Sequence, residues 1–161
     1  MGARAAIITI STSKARGEGE DTSRPKLREL AERVGAEVVA EELITDDRAL
    51  IERTMRFLAD DQRCDLVLTS GGTGLSPSDV TPEATANITD RWVPGLPEAI
   101  RAASREHTKH WMLSRAAAGI RGSTLIVNLP GNPKAIDEAG EAIADALPHA
   151  LDLLAGRPTQ H

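Results

Sequence analysis

The chain has 161 residues, 40% hydrophobic and 27% charged, and a net charge of −5, so it reads as one soluble globular domain over 1–161 with no basic footprint for nucleic acid. A single cysteine, Cys64, excludes an internal disulfide framework and a cysteine-built zinc cage. No apolar run approaches the ~20 residues that span a membrane, the first run is too short for a secretory signal, and Ala6 stands where N-myristoylation would need Ser or Thr. The expectation is a cytoplasmic protein.

Aromatic residues are confined to Phe57, Trp92 and Trp111, so Ala, Leu, Ile and Val must fill the core. Of the four histidines, His107, His110, His149 and His161, the first two are spaced as a helix-surface pair, and no third ligand falls at zinc spacing.

In chain order, Ala5–Ile10 predicts a short buried strand. The polar stretch Ser11–Arg24 follows it as a surface segment or a flap. Pro25 opens a helix with Leu27, Leu30, Ala31 and Val34 on one face, closed by Gly35. Residues 37–43 suit a short outer strand. Thr45 and Asp46 are placed to cap a helix over 47–60, where Ile51, Met55 and Leu58 share a face. A second apolar strand over 65–70 runs into Gly71-Gly72-Thr73-Gly74. Thr81 is placed to cap a helix through about Thr89. Residues 92–97 form a Pro/Gly break, and helices are expected over 96–106 and 112–118. A strand over 124–129 ends in Pro130-Gly131-Asn132-Pro133-Lys134, and a long Ala-rich helix follows, restarted at Pro148 through Leu154. Strands alternating with helices predict a three-layer α/β/α sandwich around a mostly parallel sheet.

Ligands of such sheets bind beyond the carboxyl ends of the strands. Three polar loops lie there: Ser11–Gly19, Ser70–Asp79 and Pro130–Lys134. The glycines of Ser70-Gly71-Gly72-Thr73-Gly74 let backbone N–H groups approach an anion, although neither the P-loop nor the dinucleotide fingerprint fits. Asp79 reads either as a turn residue or as a Mg²⁺ ligand beside a phosphate loop. Asp46 reads either as a helix cap or as a second acid converging on the same site. Lys134, in the first turn of a helix, is electrostatically misplaced unless it is solvated or an anion shares the site. Ser114-Arg115 adds a further candidate anion contact.

Four segments appear in order: Leu68-Thr69-Ser70-Gly71-Gly72-Thr73-Gly74, Asp79-Val80-Thr81-Pro82-Glu83-Ala84-Thr85, Leu113-Ser114-Arg115 and Asn128-Leu129-Pro130-Gly131-Asn132-Pro133-Lys134. Together they resemble the molybdopterin-binding family of molybdenum cofactor biosynthesis, of MogA/MoaB type, which includes the G domain of gephyrin. The resemblance runs from Ala5 to Leu154. It implies a homotrimer, in some members a hexamer, and for the transferase members the joining of molybdopterin to the AMP of ATP with Mg²⁺ and release of pyrophosphate. A downstream molybdenum-insertion protein would receive the product. The resemblance places the functional acids at Asp79 and Asp46, both as candidate metal ligands. It assigns substrate and nucleotide binding to Ser70, Gly71, Gly72, Thr73, Gly74, Ser114, Arg115, Pro130, Gly131, Asn132 and Lys134. Two positions depart from the pattern. Ser11-Thr12 stands where many transferase members carry Ser-Asp, and Ser78 stands where some carry a basic residue. These departures lean toward the MoaB branch, where the alternative is a pterin carrier without chemistry.

Overall fold

The computed structural model describes residues 2–160; Met1 and His161 lie outside the described residues. Six strands form one sheet: β1 (Ala3–Ile10), β2 (Ala36–Ile44), β3 (Leu66–Ser70), β4 (Arg91–Trp92), β5 (Ala118–Arg121) and β6 (Thr124–Leu129), in the order β2-β1-β3-β6-β5-β4. β2, β1, β3 and β6 run parallel, while β5 is antiparallel to β6 and β4 antiparallel to β5. The central strands β3 and β6 are buried along their whole length. Their mostly apolar character follows from being covered on both faces, and their buried polar residues, Thr69, Ser70, Thr124 and Asn128, are hydrogen-bonded within the fold.

The helices are α1 (Thr12–Ala15), α2 (Arg24–Arg33), α3 (Arg48–Arg56), α4 (Thr81–Ile88), α5 (Gly95–Ser104), α6 (Pro133–Ile143) and α7 (Leu147–Leu154). Alternate side chains of β1 sort them into two layers. Ala5 and Ile7 face a core shared with Leu27 and Leu30 of α2, Ile100 of α5, Ile136 and Ile143 of α6 and Leu151 of α7. Ala6 and Ile8 face Ile51 and Met55 of α3 and Ala84 and Ile88 of α4. The expected three-layer α/β/α sandwich is the observed one.

Several local expectations need correction. The segment expected as a helix over 112–118 is a three-residue 3₁₀ turn, Trp111–Leu113, an extended link, and then β5. Pairing with β6 across the sheet overrides the helix propensity of its Ala and Leu residues. The expected break at 92–97 is shorter than that: Trp92 belongs to β4, a strand too short to announce itself, and α5 already begins at Gly95. α3 is followed by a wider π-helical turn, Phe57–Asp61, that seats Leu58 and Ala59 in the core. α5 ends at Ser104, so His107 and His110 lie in the turn beyond it and are not a helix-surface pair. The polar stretch after β1 holds the single-turn helix α1. Cys64 is a buried free thiol, and burial pushes it above its ordinary range. No helix among the described residues is long and apolar enough to cross a membrane.

Candidate functional site

Parallel register brings the ends of four strands level. Ile10 pairs with Ile44, Thr9 with Ser70, and Ser70 with Leu129. The loops after β1, β2, β3 and β6 therefore leave the sheet on one edge. The three loops singled out in the sequence meet there, and Asp46 joins them from β2.

The glycine-rich loop is fixed from several sides. The Ser70 hydroxyl donates to the Pro130 carbonyl (2.8 Å), and the Gly71 amide donates to that of Leu129 (3.2 Å). Gly71 has φ +99°, and a Cβ there would stand 2.2 Å from the Ile10 carbonyl oxygen. Gly72 has φ +69°, and its Cβ would stand 2.2 Å from Thr81 Oγ1. Both positions require glycine for space as well as for dihedral angle. The Thr81 amide donates to the Gly72 carbonyl (3.1 Å), and that of Arg115 to the Thr73 carbonyl (2.9 Å). The loop is a pre-formed cradle.

The two acids flank it. Asp47, rather than Thr45 or Asp46, caps α3, its carboxylate accepting from the Leu50 amide (3.1 Å). Asp46 is thereby released from capping. Its Oδ2 accepts from the Thr12 amide (3.1 Å) and hydroxyl (2.9 Å), and its own amide donates back to Thr12 Oγ1 (3.0 Å). Its Oδ1 lies beside Gly72 and takes no hydrogen bond among the described residues. Asp79 Oδ2 accepts from the Ser76 amide (3.0 Å) and sits against Gly74. Its Oδ1 is likewise without a partner among the described residues. Val80, not Thr81, precedes α4 as its cap residue, and Thr81 is the first helical residue.

Mg²⁺ typically takes one or two protein carboxylates and completes its shell with phosphate and water. Two carboxylates, each with one uncommitted oxygen beside a glycine-rich cradle, fit that demand. Among the described residues no three His, Cys, Asp or Glu gather into a self-sufficient metal centre.

Arg115 occupies a different place from the one its sequence context suggested. Its guanidinium donates to the Gly74 carbonyl (2.8 Å), to both carboxylate oxygens of Glu83 (2.9 and 2.8 Å) and to the Asp79 carbonyl (2.7 Å). The Glu83 carboxylate pushes its already high pKa further up. Arg115 is a strut that ties the glycine-rich loop to the start of α4. Buried Asn128 ties β6 to β3 and to the middle of α4, donating to the hydroxyls of Thr69 (3.1 Å) and Thr85 (3.0 Å) while its own oxygen accepts from the Ala117 amide (3.1 Å).

Beside the loop opens a cleft of about 430 Å³, walled by Thr73, Gly74, Ser114, Pro130, Gly131 and Asn132 among the residues expected from sequence. Asn132 caps α6 by accepting from the Ala135 amide (2.9 Å). Lys134 is exposed in the first turn of α6 and is not part of this wall. The opposite wall was not foreseen: Arg101, Ser104, Thr108, His110 and Trp111. The Arg101 guanidinium donates to the carbonyls of Ser114 (3.3 Å) and Ala116 (3.0 Å), and the Arg105 guanidinium lies 5.8 Å from the centre of the Trp111 ring. The clustered Arg, His and Trp between 101 and 111 were the available signal, but they follow no recognised spacing.

With this geometry in place, comparison with known proteins is direct. Residues 6–149 match the model of a family described as a probable molybdopterin binding domain. The chain belongs to this family. Two curated relatives named molybdopterin adenylyltransferase are similar over most of their length. That of Helicobacter pylori is 37% identical over 156 residues, spanning 96% of this chain and 89% of that protein. That of Escherichia coli K12 is 38% identical over 167 residues, spanning 95% and 86%. The crystal structure of the molybdopterin biosynthesis enzyme MoaB from Thermus thermophilus matches with a TM-score of 0.91 at 46% identity, over 98% of this chain and 99% of that one.

Proposed function

We propose that this chain is a cytoplasmic single-domain enzyme of molybdenum cofactor biosynthesis, a molybdopterin adenylyltransferase that joins molybdopterin to the AMP of ATP and releases pyrophosphate. The observation that carries the reading is the approach of Asp46 to Gly72 and of Asp79 to Gly74 in a glycine-rich loop whose Thr73 and Gly74 also line the cleft. A phosphate oxygen of molybdopterin attacks the α-phosphorus of ATP, the bond from that phosphorus to the bridging oxygen breaks, and pyrophosphate carries the electron pair away. No covalent protein nucleophile takes part. The work is positioning and charge compensation.

Asp46 and Asp79 are the residues that would hold Mg²⁺, which when bound offsets charge on the phosphates. The backbone amides of Gly72, Thr73 and Gly74 serve the phosphates, the Gly71 amide being held by the Leu129 carbonyl, and Ser70 holds the Pro130 loop in place behind them. Ser114, Pro130, Gly131 and Asn132 form the pterin side, with Lys134 adding long-range positive charge at its rim. Arg115 acts by holding the carbonyls of Gly74 and Asp79. The product would pass to a downstream molybdenum-insertion protein.

The carrier reading is favoured by one observation, the uncharged Thr12 in place of an acid at the end of β1. Incubating the purified protein with molybdopterin, ATP and Mg²⁺ and measuring pyrophosphate decides between them. Release dependent on all three is expected; tight pterin binding with no pyrophosphate would leave the carrier.

The enzyme is proposed to act as a homotrimer, or as a hexamer of paired trimers. Trp92 on the edge strand β4 is 57% exposed, and Leu153 of α7 is 53% exposed beside an apolar groove that also holds Val93 and Ile120. Apolar surface of this kind suits an interface. Light scattering is expected to return three or six chain masses, and a single chain mass would contradict the assembly.

A further inference from the structure

Thr81 is fully buried, yet its hydroxyl has no hydrogen-bond partner among the described residues. A buried hydroxyl left unpaired is costly, and such groups in a folded protein ask for an explanation. This one faces a space of defined content. The Cβ that Gly72 lacks would stand 2.2 Å from Thr81 Oγ1 and 3.2 Å from Asp46 Oδ1. The two oxygens thus crowd the same side of Gly72, and only glycine lets them come so close to the loop. A ligand cannot touch the Thr81 hydroxyl directly, because the residue is enclosed. Any part it plays is played through Asp46.

The other oxygen of that carboxylate is already held. Thr12 donates to Oδ2 through both its amide and its hydroxyl, and the hydroxyl accepts from the Asp46 amide in return. One hydroxyl thereby uses its donor and an acceptor on the same residue, locking the side chain to its own backbone. Thr12 can do this without adding charge. An acid at position 12 would instead repel Asp46.

We propose that Thr12 and Thr81 are positioning residues for Asp46, Thr12 pinning Oδ2 and the Thr81 hydroxyl serving as the donor that meets Oδ1 in the nucleotide-bound site. The proposal rests on the reading of Asp46 as an acid that binds the cation of a metal–nucleotide substrate. Hydrogen bonds of this kind, one step removed from a cation, commonly change its affinity by about 10–100-fold.

The test uses the full chain with Mn²⁺ as a spectroscopic stand-in for Mg²⁺, titrated in the presence of ATP and read by electron paramagnetic resonance. Thr81→Val keeps shape and removes the hydroxyl. It is expected to weaken Mn²⁺ binding about tenfold while leaving the melting temperature unchanged or higher, since an unpaired buried hydroxyl is gone. Thr81→Ser is expected to retain Mn²⁺ affinity within about threefold of the wild type. Thr12→Val is expected to weaken Mn²⁺ binding similarly, with Thr12→Ser restoring it. In turnover, both valine variants lower kcat and leave the KM for molybdopterin in place. Unchanged Mn²⁺ affinity in either valine variant overturns the paired assignment. So does a loss that the serine variants fail to restore. If the wild-type protein released no pyrophosphate, the transferase reading would fall, while the Mn²⁺–ATP titrations would still decide the roles of the two threonines.

Discussion

Asp79→Asn is expected to slow pyrophosphate release by about 10²–10³, equivalent to about 3–4 kcal/mol of lost charge stabilisation at a transferring phosphoryl group. Asparagine keeps the shape of the side chain and can still accept from the Ser76 amide, which Asp79 Oδ2 does at 3.0 Å. The backbone around it is held by other means, since the Asp79 carbonyl is fixed by Arg115 at 2.7 Å. Folding stability should therefore change by less than about 1 kcal/mol. Molybdopterin affinity should persist, because the cleft wall is built from residues within 73–75, 100–114 and 130–135, and Asp79 is not among them. Measuring rate, melting temperature and pterin binding on one preparation separates the roles. A rate within about tenfold of the wild type would reject Asp79 as a metal-binding acid.

Gly71→Ala is expected to have the largest effect on stability. The position has φ +99°, outside the range comfortable for an L-residue, and an added methyl would stand 2.2 Å from the carbonyl oxygen of Ile10. That oxygen belongs to the end of β1, which is paired on both sides, by β2 and by β3. Neither partner in the clash can retreat. Dihedral strain of about 1–3 kcal/mol and overpacking of about 1–3 kcal/mol together predict a loss of roughly 2–6 kcal/mol, a fall in melting temperature of roughly 4–24 °C for a chain of this size. Gly17→Ala is the control. Its φ is +82°, but no atom lies within 4 Å of the added methyl, so only the dihedral cost of about 1–2 kcal/mol applies. Equal melting temperatures for the two variants would contradict the close approach at Gly71.

How far the molecule could be read from its residues depends on what each segment needed to declare itself. β1, β3 and β6 are short and apolar because helices cover both of their faces, and that composition is visible without a structure. β5 has the sequence Ala-Gly-Ile-Arg and is made a strand by its partner β6, with Asn128 binding the Ala117 amide just before it. Such a strand has no local signature. At the site, the glycine loop and Asp79 were legible because turns and helix starts impose strong residue preferences. Asp46 was ambiguous beside Asp47, since adjacent acids before a helix compete for one cap, and only the Leu50 contact with Asp47 resolves the choice. Arg115 was legible as important, but its partners Gly74, Asp79 and Glu83 come together only in the fold. The Arg101–Trp111 wall escaped because cleft walls need shape and polarity, which many sequences supply.

The position of β6 also bears on how the chain is made. It lies between β3 and β5, near the middle of the sheet, but it is the last strand to be synthesised. Ser70 and the Pro130 carbonyl it binds are 60 residues apart. At ribosomal rates of about 5–20 residues per second, β3 emerges with one edge open for roughly 3–12 s before its neighbour exists. During that interval a strand that is apolar over Leu66–Leu68 offers unpaired backbone groups to any other nascent chain. The substrate loops cannot meet before β6 arrives either. A ribosome stalled short of residue 130 therefore holds a half-sheet that is prone to misassociate and that cannot be rescued by ligand, whereas chains released beyond it gain the central strand and the binding site together.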